Sequence, residues 1–464
     1  MANDSFDVVV IGAGPAGENV AGRCADGGLT VAIVERELVG GECEYWGCMP
    51  SKALIRPGDA LAAARRVPGA ARAVGGGPDV SATLATRDRF TGNWDDQGSL
   101  SWLTSKHIEI VRGVARLVGE RALAVEGKDG SIRNLRAKRA VVMATGTKAS
   151  MPPIPGLAEA SPWTNREATA IKQVPRRLLV LGGGAIGVEL AQAFRRLGSE
   201  SVTVVEDAPR LIPHEEPYAS AELQLALEAE GIVVHVGATV ASVHRDGDGP
   251  VSATLAEGTV LTGDEILVAS GRKPATHDLG LEAVGLEPGK SIEVDDQLRA
   301  IGVPDGWLYA VGDCNGRALL THMGKYQARI AGDVILGKPG AATSDHRAVP
   351  RVTFTDPQIC AVGLTESQAR HAGIQVKVVQ SVTGGVAGAS LLGNDYAGTS
   401  QLVVDEKRRV LVGATFVGPG TQELLHSATV AVTAEVTLDQ LWHAVPSFPT
   451  VSEVWLRLLE KYGL

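Results

Sequence analysis

The stretch Asp7–Arg36, "DVVVIGAGPAGENVAGRCADGGLTVAIVER", decides how this chain is read. An apolar run meets a glycine turn, a helical pattern follows, and a second apolar run ends on an acid. Arg177–Asp207, "RLLVLGGGAIGVELAQAFRRLGSESVTVVED", repeats that order. Such a unit binds dinucleotides for physical reasons. Gly12 and Gly182 permit the tight turn, and Gly14 and Gly184 let backbone approach a pyrophosphate. Gly17 and Gly187 let helix and strand pack closely. The helix N-terminus offers unpaired N–H groups to phosphate, and Glu35 and Glu206 are placed to accept hydrogen bonds from a ribose. One glycine fingerprint is a weak signal. Two in full strand, helix, strand and acid context predict a chain that holds two dinucleotides at once.

Working outward, "VVMATGTKASMPPIPG" (141–156) and "ILVASGRKPATHDLG" (266–280) read as strand ends followed by turns, and they bracket the second unit. This predicts a nucleotide domain inserted into another, with crossovers near Ala149–Pro155 and Gly271–Pro274. From about Val349 the pattern changes to short alternating strands and two helices, an α+β domain. The expected architecture is α/β: two Rossmann-like dinucleotide-binding domains plus a C-terminal α+β interface (dimerisation) domain. Its expected limits are 1–150 for the first nucleotide domain, 151–272 for the second, 273–346 for the return to the central domain and 347–464 for the interface domain.

A chain of 464 residues with 56 glycines fits a multidomain globular protein rich in tight turns. A net charge of −9 supplies no basic field for nucleic acid or an anionic membrane. The N-terminal "MANDSFD" is acidic where a secretory signal is basic, and no apolar run is long enough to span a bilayer. Five cysteines in so long a chain do not form a secreted disulfide framework, so a reducing cytoplasm is expected. Cys24, Cys314 and Cys360 lack a chemical context and read as small core residues.

Cys43 and Cys48 differ from these. In "GGECEYWGCMPSKAL" (40–54) four residues separate them, a spacing compatible with a small disulfide ring. Pro50 fits the first turn of a helix starting just after Cys48, which places Cys48 where the dipole favours thiolate, with Lys52 adding positive charge. A metal clip would need further ligands, and the sequence has no second CxxC and no HxxxH. Two ordinary buried thiols remain an alternative. Beside a scaffold for two dinucleotides, redox chemistry is the favoured reading.

These segments, with "LYAVGDC" and "FTDPQICAVG", resemble in order the FAD-dependent pyridine nucleotide-disulfide oxidoreductases. That family includes lipoamide dehydrogenase, glutathione reductase and mercuric reductase. The resemblance implies FAD on the first unit, held by Gly12, Gly14, Gly17, Glu35, Gly41, Lys52, Ala115, Thr145, Gly146 and Asp313. It implies the nicotinamide nucleotide on the second, held by Gly182, Gly184, Gly187, Glu189, Glu206 and Gly271. Cys48 would be the flavin-side thiol and Cys43 the interchange thiol that meets substrate, with Lys52 paired to Glu189 near flavin N5. A carboxylate at Glu206 suits a free 2′-hydroxyl, so NAD(H) is expected over NADP(H), softened by Arg210 just downstream.

One departure matters. The family's C-terminal HPTxSE motif, donated by the partner subunit of a homodimer, reads "FPTVSE" here: Phe448 replaces the proton-transfer histidine and Glu453 remains. His443, five residues earlier, is expected in the preceding helix. Tyr45 and Trp46 also depart from the usual pattern, and they either narrow the substrate side or simply pack. The expected activity is lipoamide dehydrogenase-like transfer of electrons from NADH through Cys48 and Cys43 to a disulfide or other small electrophilic acceptor. The alternatives are a quinone reductase, a transhydrogenase, an activity like 2-ketopropyl coenzyme M carboxylase, and a flavin-binding redox sensor without turnover.

Overall fold

The computed structural model describes residues 4–464; the first three residues of the acidic N-terminal stretch lie outside them. The described chain forms two compact units, one from residues 4–50, Arg87–Ser150 and Arg272–Asp345, the other from Ser51–Thr86, Met151–Gly271 and His346–Leu464.

In the first unit, strands Glu109–Arg112, Val31–Glu35, Asp4–Ile11 and Ile132–Met143 lie side by side in parallel. Val8–Val10 and Ala32–Ile33 are fully buried, as strands covered on both faces must be. Ile132–Met143 is long enough to pair twice. Its first half continues an antiparallel meander with Ala122–Glu126 and Val114–Gly119, and its last three residues pair in parallel with Leu308–Ala310. Thr147–Ala149 and Arg272–Pro274 pair antiparallel, so the chain segments on either side of Met151–Gly271 run along one two-stranded ribbon.

In the second unit, Ile232–Val236, Ser201–Glu206, Arg177–Leu181 and Glu265–Val268 make a four-stranded parallel sheet. The helix Ala185–Arg196 follows the glycine turn, and Val188, Leu190, Ala191 and Phe194 are buried. A five-stranded antiparallel sheet occupies the C-terminal part in the order Pro350–Thr353, Gln358–Gly363, Val410–Gly418, Thr399–Asp405, Val376–Val382. The helices Gln422–Thr433 and Val454–Tyr462 bury Leu424, Ala428, Leu458 and Leu459 in its core. This is the expected α/β class with an α+β C-terminal part. No helix among the described residues is long and apolar enough to cross a membrane.

Candidate active site

The two glycine turns are built alike. Gly12 has φ +99° and Gly182 φ +111°, values that side-chain-bearing residues rarely adopt, and a Cβ on either would strike a carbonyl oxygen at 2.5 Å. Gly17 and Gly187 are equally constrained, since a Cβ on each would lie 1.9 Å from the carbonyl oxygen of Gly12 or Gly182. The middle glycines are different. Gly14 and Gly184 are the N-caps of the Pro15–Asp26 and Ala185–Arg196 helices, and neither helix start has a side-chain cap. A Cβ on Gly184 would enter open space, and one on Gly14 would come no nearer than 4.0 Å to the Gly41 Cα. Each is a cradle of bare donors that fits a pyrophosphate. Gly41, at φ +63°, has no such room, because its Cβ would meet the Gly14 Cα at 2.9 Å.

The acids match as well. Glu35 accepts the N–H groups of Ala13 and Glu37, each at 2.8 Å. Glu206 accepts those of Gly183 at 2.5 Å and Ala208 at 2.8 Å. Each carboxylate thus braces the turn that its ribose partner would approach. Burial raises the Glu206 carboxyl above the usual range. Arg210 is turned toward its own loop, donating to the carbonyls of Pro213 at 2.6 Å and Glu215 at 3.2 Å.

Cys43 lies in the short helix Gly41–Tyr45, and Cys48 is the first residue of the helix Cys48–Arg66. The helix starts on Cys48 rather than after it, so Pro50 is its third residue, still ahead of the first i to i−4 bond. Both sulfurs are thiols, and the Cys48 Sγ lies 3.3 Å from the Thr321 Oγ. The hydrogen bond with Cys48, followed by burial, pushes the Cys43 thiol well above its ordinary range, while Thr321 pulls the other way. Thr321 opens the helix Thr321–Ile335 and escaped the sequence reading, because no spacing rule ties residue 321 to residue 48.

Tyr45 is 1% exposed and its hydroxyl donates to the Val39 carbonyl at 2.9 Å; the Val39 N–H donates to Asp96 at 2.8 Å. Tyr45 therefore anchors the loop that carries Cys43, which accounts for this departure by packing. Trp46 is half-buried, its ring 5.6 Å from that of Tyr45. Beside the loop, Glu42 lies 3.5 Å from Arg272, whose Nε donates to the Thr147 hydroxyl at 2.7 Å. That hydroxyl donates to Asp313 at 2.8 Å. Burial raises the Asp313 carboxyl, against the pull of Thr147 and Arg272. Arg272 and Thr147 sit in the quoted turn segments but were not singled out, since their roles depend on the ribbon that pairs them. Thr145 and Gly146 are half-buried in the turn before it, Gly271 is exposed just ahead of Arg272, and Ala115 is buried in the meander opposite Val125.

Glu18, in the first turn of the Pro15–Asp26 helix, was also missed. Burial first, then the charges of Glu44 and Glu35, raise its carboxyl to about 7 against the pull of Lys325. The unfolded chain releases this proton near 4.5, so the stability from holding it is complete below that pH and lost as pH rises through about 7. Glu18→Gln, which keeps the shape without the charge, is expected to stabilise the protein at pH 8 by up to roughly 3 kcal/mol and to change little at pH 4. Thermal melts at both pH values check this; equal shifts at the two would contradict it.

In the second unit the Lys52 Nζ meets the Glu189 Oε2 at 2.7 Å and lies 4.5 Å from the centre of the Phe354 ring. The other Glu189 oxygen accepts the Phe354 N–H at 2.9 Å. Phe448 is 76% exposed beside an exposed Val445, and His443 caps the Leu438–Trp442 helix. Glu453 is 8% exposed, and its Oε2 has no hydrogen-bond partner among the described residues. Cys24, Cys314 and Cys360 are buried. No group of three or more His, Cys, Asp or Glu placed to hold a metal occurs among the described residues.

Two glycine turns that each fit a pyrophosphate, and two thiols on consecutive helices, are the features of the class of dithiol enzymes that hold two dinucleotides. The model of the pyridine nucleotide-disulphide oxidoreductases matches residues 6–328, and that of their dimerisation domain matches residues 349–458. The chain belongs to this family. It is 36% identical over 454 residues to a dihydrolipoyl dehydrogenase of Chlorobaculum tepidum, covering 97% of this chain and 95% of that one. It is 31% identical to a mercuric reductase of Staphylococcus aureus, covering 97% and 81%. Among solved structures, LpdA from Mycobacterium tuberculosis superposes with a TM-score of 0.87 at 26% identity, covering 99% of this chain and 100% of that one. The Cu(II) complex of the HOCl-induced flavoprotein disulfide reductase RclA from Escherichia coli gives 0.86 at 26%, covering 99% of each. The protein is thus an FAD-dependent disulfide oxidoreductase that works with a pyridine nucleotide, and its dimerisation domain supports a homodimer.

Proposed function

We propose that the protein is an NADH-dependent reductase that passes electrons through Cys48 and Cys43 to a disulfide or another electrophile. The observation that carries this reading is the thiol pair, Cys43 in the short helix Gly41–Tyr45 and Cys48 opening the Cys48–Arg66 helix with its Sγ 3.3 Å from the Thr321 Oγ. FAD would lie on Gly12, Gly14, Gly17 and Gly41, with Glu35 at its ribose, Ala115, Thr145, Gly146 and Asp313 along it and Lys52 toward its N5. The nicotinamide nucleotide would lie on Gly182, Gly184 and Gly187, with Glu206 at its ribose and Glu189 and Gly271 alongside. When bound, FAD supplies two-electron transfer between the nicotinamide and the dithiol.

The protein's own residues account for the rest. Cys43, once it has given up the proton that Cys48 and burial hold on it, attacks one sulfur of the acceptor disulfide and expels the other half as a thiolate, leaving a mixed disulfide; the protons given up by Cys43 and Cys48 equal in number those the two leaving thiolates require. Cys48 then attacks the Cys43 sulfur, which closes the Cys43–Cys48 disulfide and releases the second thiolate. Each departing thiolate takes up one proton. With Phe448 in the position the family gives to histidine, the usual imidazole donor is missing, and one Glu453 carboxylate oxygen has no hydrogen-bond partner among the described residues. The reaction is therefore slow with ordinary disulfides, and an electrophile that leaves without protonation is the better acceptor. Mercuric ion, after which one relative is named, and Cu(II), which another binds, are acceptors of that kind, since the two electrons of the dithiol reduce one Hg(II) or two Cu(II) and expel no thiolate that needs a proton.

Phe448 also favours a second reading, in which a quinone or a second nucleotide is reduced without the thiols. Steady-state assays with oxidised lipoamide and a benzoquinone separate the two. The Cys48→Ser variant should lose lipoamide reduction and retain quinone reduction; undiminished lipoamide turnover in that variant would refute the dithiol route.

Glu206 favours NADH, because a buried carboxylate held by two backbone N–H groups repels a 2′-phosphate. Glu206→Ala is expected to reduce the preference of kcat/KM for NADH over NADPH by about tenfold, the worth of one charge-assisted hydrogen bond. An unchanged ratio would remove Glu206 from the discrimination. We further propose the domain limits of the sequence reading, a cytoplasmic setting, and no nucleic-acid partner.

A further inference from the structure

The segment Phe354–Pro357, part of the "FTDPQICAVG" motif, is unused by the chemistry above, yet it lies on a half-buried row of charges in which Glu189 and Asp356 are buried. Asp59 and Arg66 follow Lys52 at intervals of seven on the Cys48–Arg66 helix, and Arg196 follows Glu189 by seven on the Ala185–Arg196 helix. Residues seven apart drift by only about 20° around a helix, so each set forms one stripe. The stripes meet in rungs: Lys52 with Glu189 at 2.7 Å, then Asp59 with the Arg196 Nη1 at 2.8 Å. A Cβ on Gly58 would lie 2.8 Å from the Arg196 Cδ, so the bare backbone there admits the arginine stem.

Arg196 is the hub of the second rung. Its Nε and Nη2 grip Glu230 at 2.9 and 2.6 Å, and its Nη2 also reaches Asp356 at 2.9 Å. Asp356 pairs with Arg66 as well. Gln192 lies between the rungs, accepting the Asp356 N–H at 2.8 Å and donating to the Asp356 carbonyl at 2.9 Å and to Glu230 at 2.8 Å. The motif thus spans both rungs, with the Phe354 N–H on Glu189 and the Asp356 carboxylate on Arg196. Burial is strong enough to raise the Asp59 carboxyl to about 6 despite Arg196 beside it.

We infer that Arg196 is a positioning residue: with Asp59, Glu230 and Asp356 it fixes the register of the two helices and so holds the Lys52–Glu189 pair one heptad upstream. The consequence for the flavin rests on the assignment of Lys52 made above; the register itself does not. A guanidinium shared by three carboxylates resists sliding of either helix, because a shift leaves the half-buried Arg196 and the buried Asp356 without their partners. The Phe354–Pro357 segment locks both rungs from a third side.

The test uses the purified holoenzyme and the rate at which acetic anhydride acetylates Lys52, read by mass spectrometry against Lys377. Arg196→Met should raise Lys52 labelling about fivefold or more and leave Lys377 unchanged, with Arg196→Lys partly restoring protection. The same variant should lower the flavin midpoint potential by about 30 mV, a tenfold change in a two-electron equilibrium. In a Lys52→Met background it should lower it no further. Unchanged labelling of Lys52, or an equal potential shift without Lys52, would overturn the inference. Should Arg196→Met not retain FAD, the isosteric Asp59→Asn must produce the rise in labelling, and its absence is equally decisive. Lys52→Met with a wild-type potential would sink the flavin assignment of Lys52, and labelling would still decide the register.

Discussion

Cys43→Ser is expected to lower turnover with oxidised lipoamide by on the order of 10³-fold or more while leaving the anaerobic reduction of bound FAD by NADH nearly unchanged. The argument is chemical. A serine hydroxyl neither attacks sulfur at neutral pH nor leaves as a stable anion, so both the mixed disulfide and its resolution by Cys48 are lost. Fold and cofactor binding should survive, because Cys43 is half-buried in a five-residue helix whose anchor is the neighbouring Tyr45. Stopped-flow flavin bleaching and steady-state assays on one preparation separate the two half-reactions. If both fell together, Cys43 would be structural rather than the exchanging thiol.

Phe448→His should have the opposite sign. General acid–base assistance contributes about 10² to 10⁴ in rate, so restoring an imidazole should raise disulfide turnover by about 10²-fold. Glu453 is already present to orient it: the carboxylate is buried and one of its oxygens lacks a partner among the described residues. The gain should be largest in kcat and should bring a new ionisation near the usual histidine value of about 6.5 in the pH profile. A combined Phe448→His, Glu453→Ala variant should lose most of the gain. No gain from the single variant would mean that the residue at 448 packs at the subunit interface and does not govern proton delivery.

These expectations draw on different depths of the sequence. The two nucleotide turns were legible because their physics is local: a positive φ, a close approach and a strand-terminal acid all fall within about thirty residues. Glu35 and Glu206 appear in the structure with the same two backbone partners, as a repeat requires. The thiol pair was legible from spacing, although the helix start lay one residue earlier than expected. Tyr45 was ambiguous, because an aromatic between two cysteines reads equally as a wall of the pocket or as core, and only its hydroxyl bond to Val39 separates the two. Thr321 and the Arg196 row were not legible. Arg196 and Asp59 are 137 positions apart, and charges on two helices announce themselves only when register brings the stripes together. Glu18 looked like an ordinary first-turn acid, and its burial among other carboxylates depends on Glu44 and Lys325 from distant segments.

The central claim, that the Cys43–Cys48 pair exchanges electrons with FAD, is tested most directly by titrating the oxidised protein anaerobically with NADH and recording the visible spectrum. A long-wavelength band appearing at two electrons per FAD, absent in Cys48→Ser, is the predicted result, because it reports a cysteine thiolate in electronic contact with oxidised flavin. Direct bleaching of the flavin at two electrons, with no such band in the wild type, would contradict the account and leave the dithiol outside the path of the electrons.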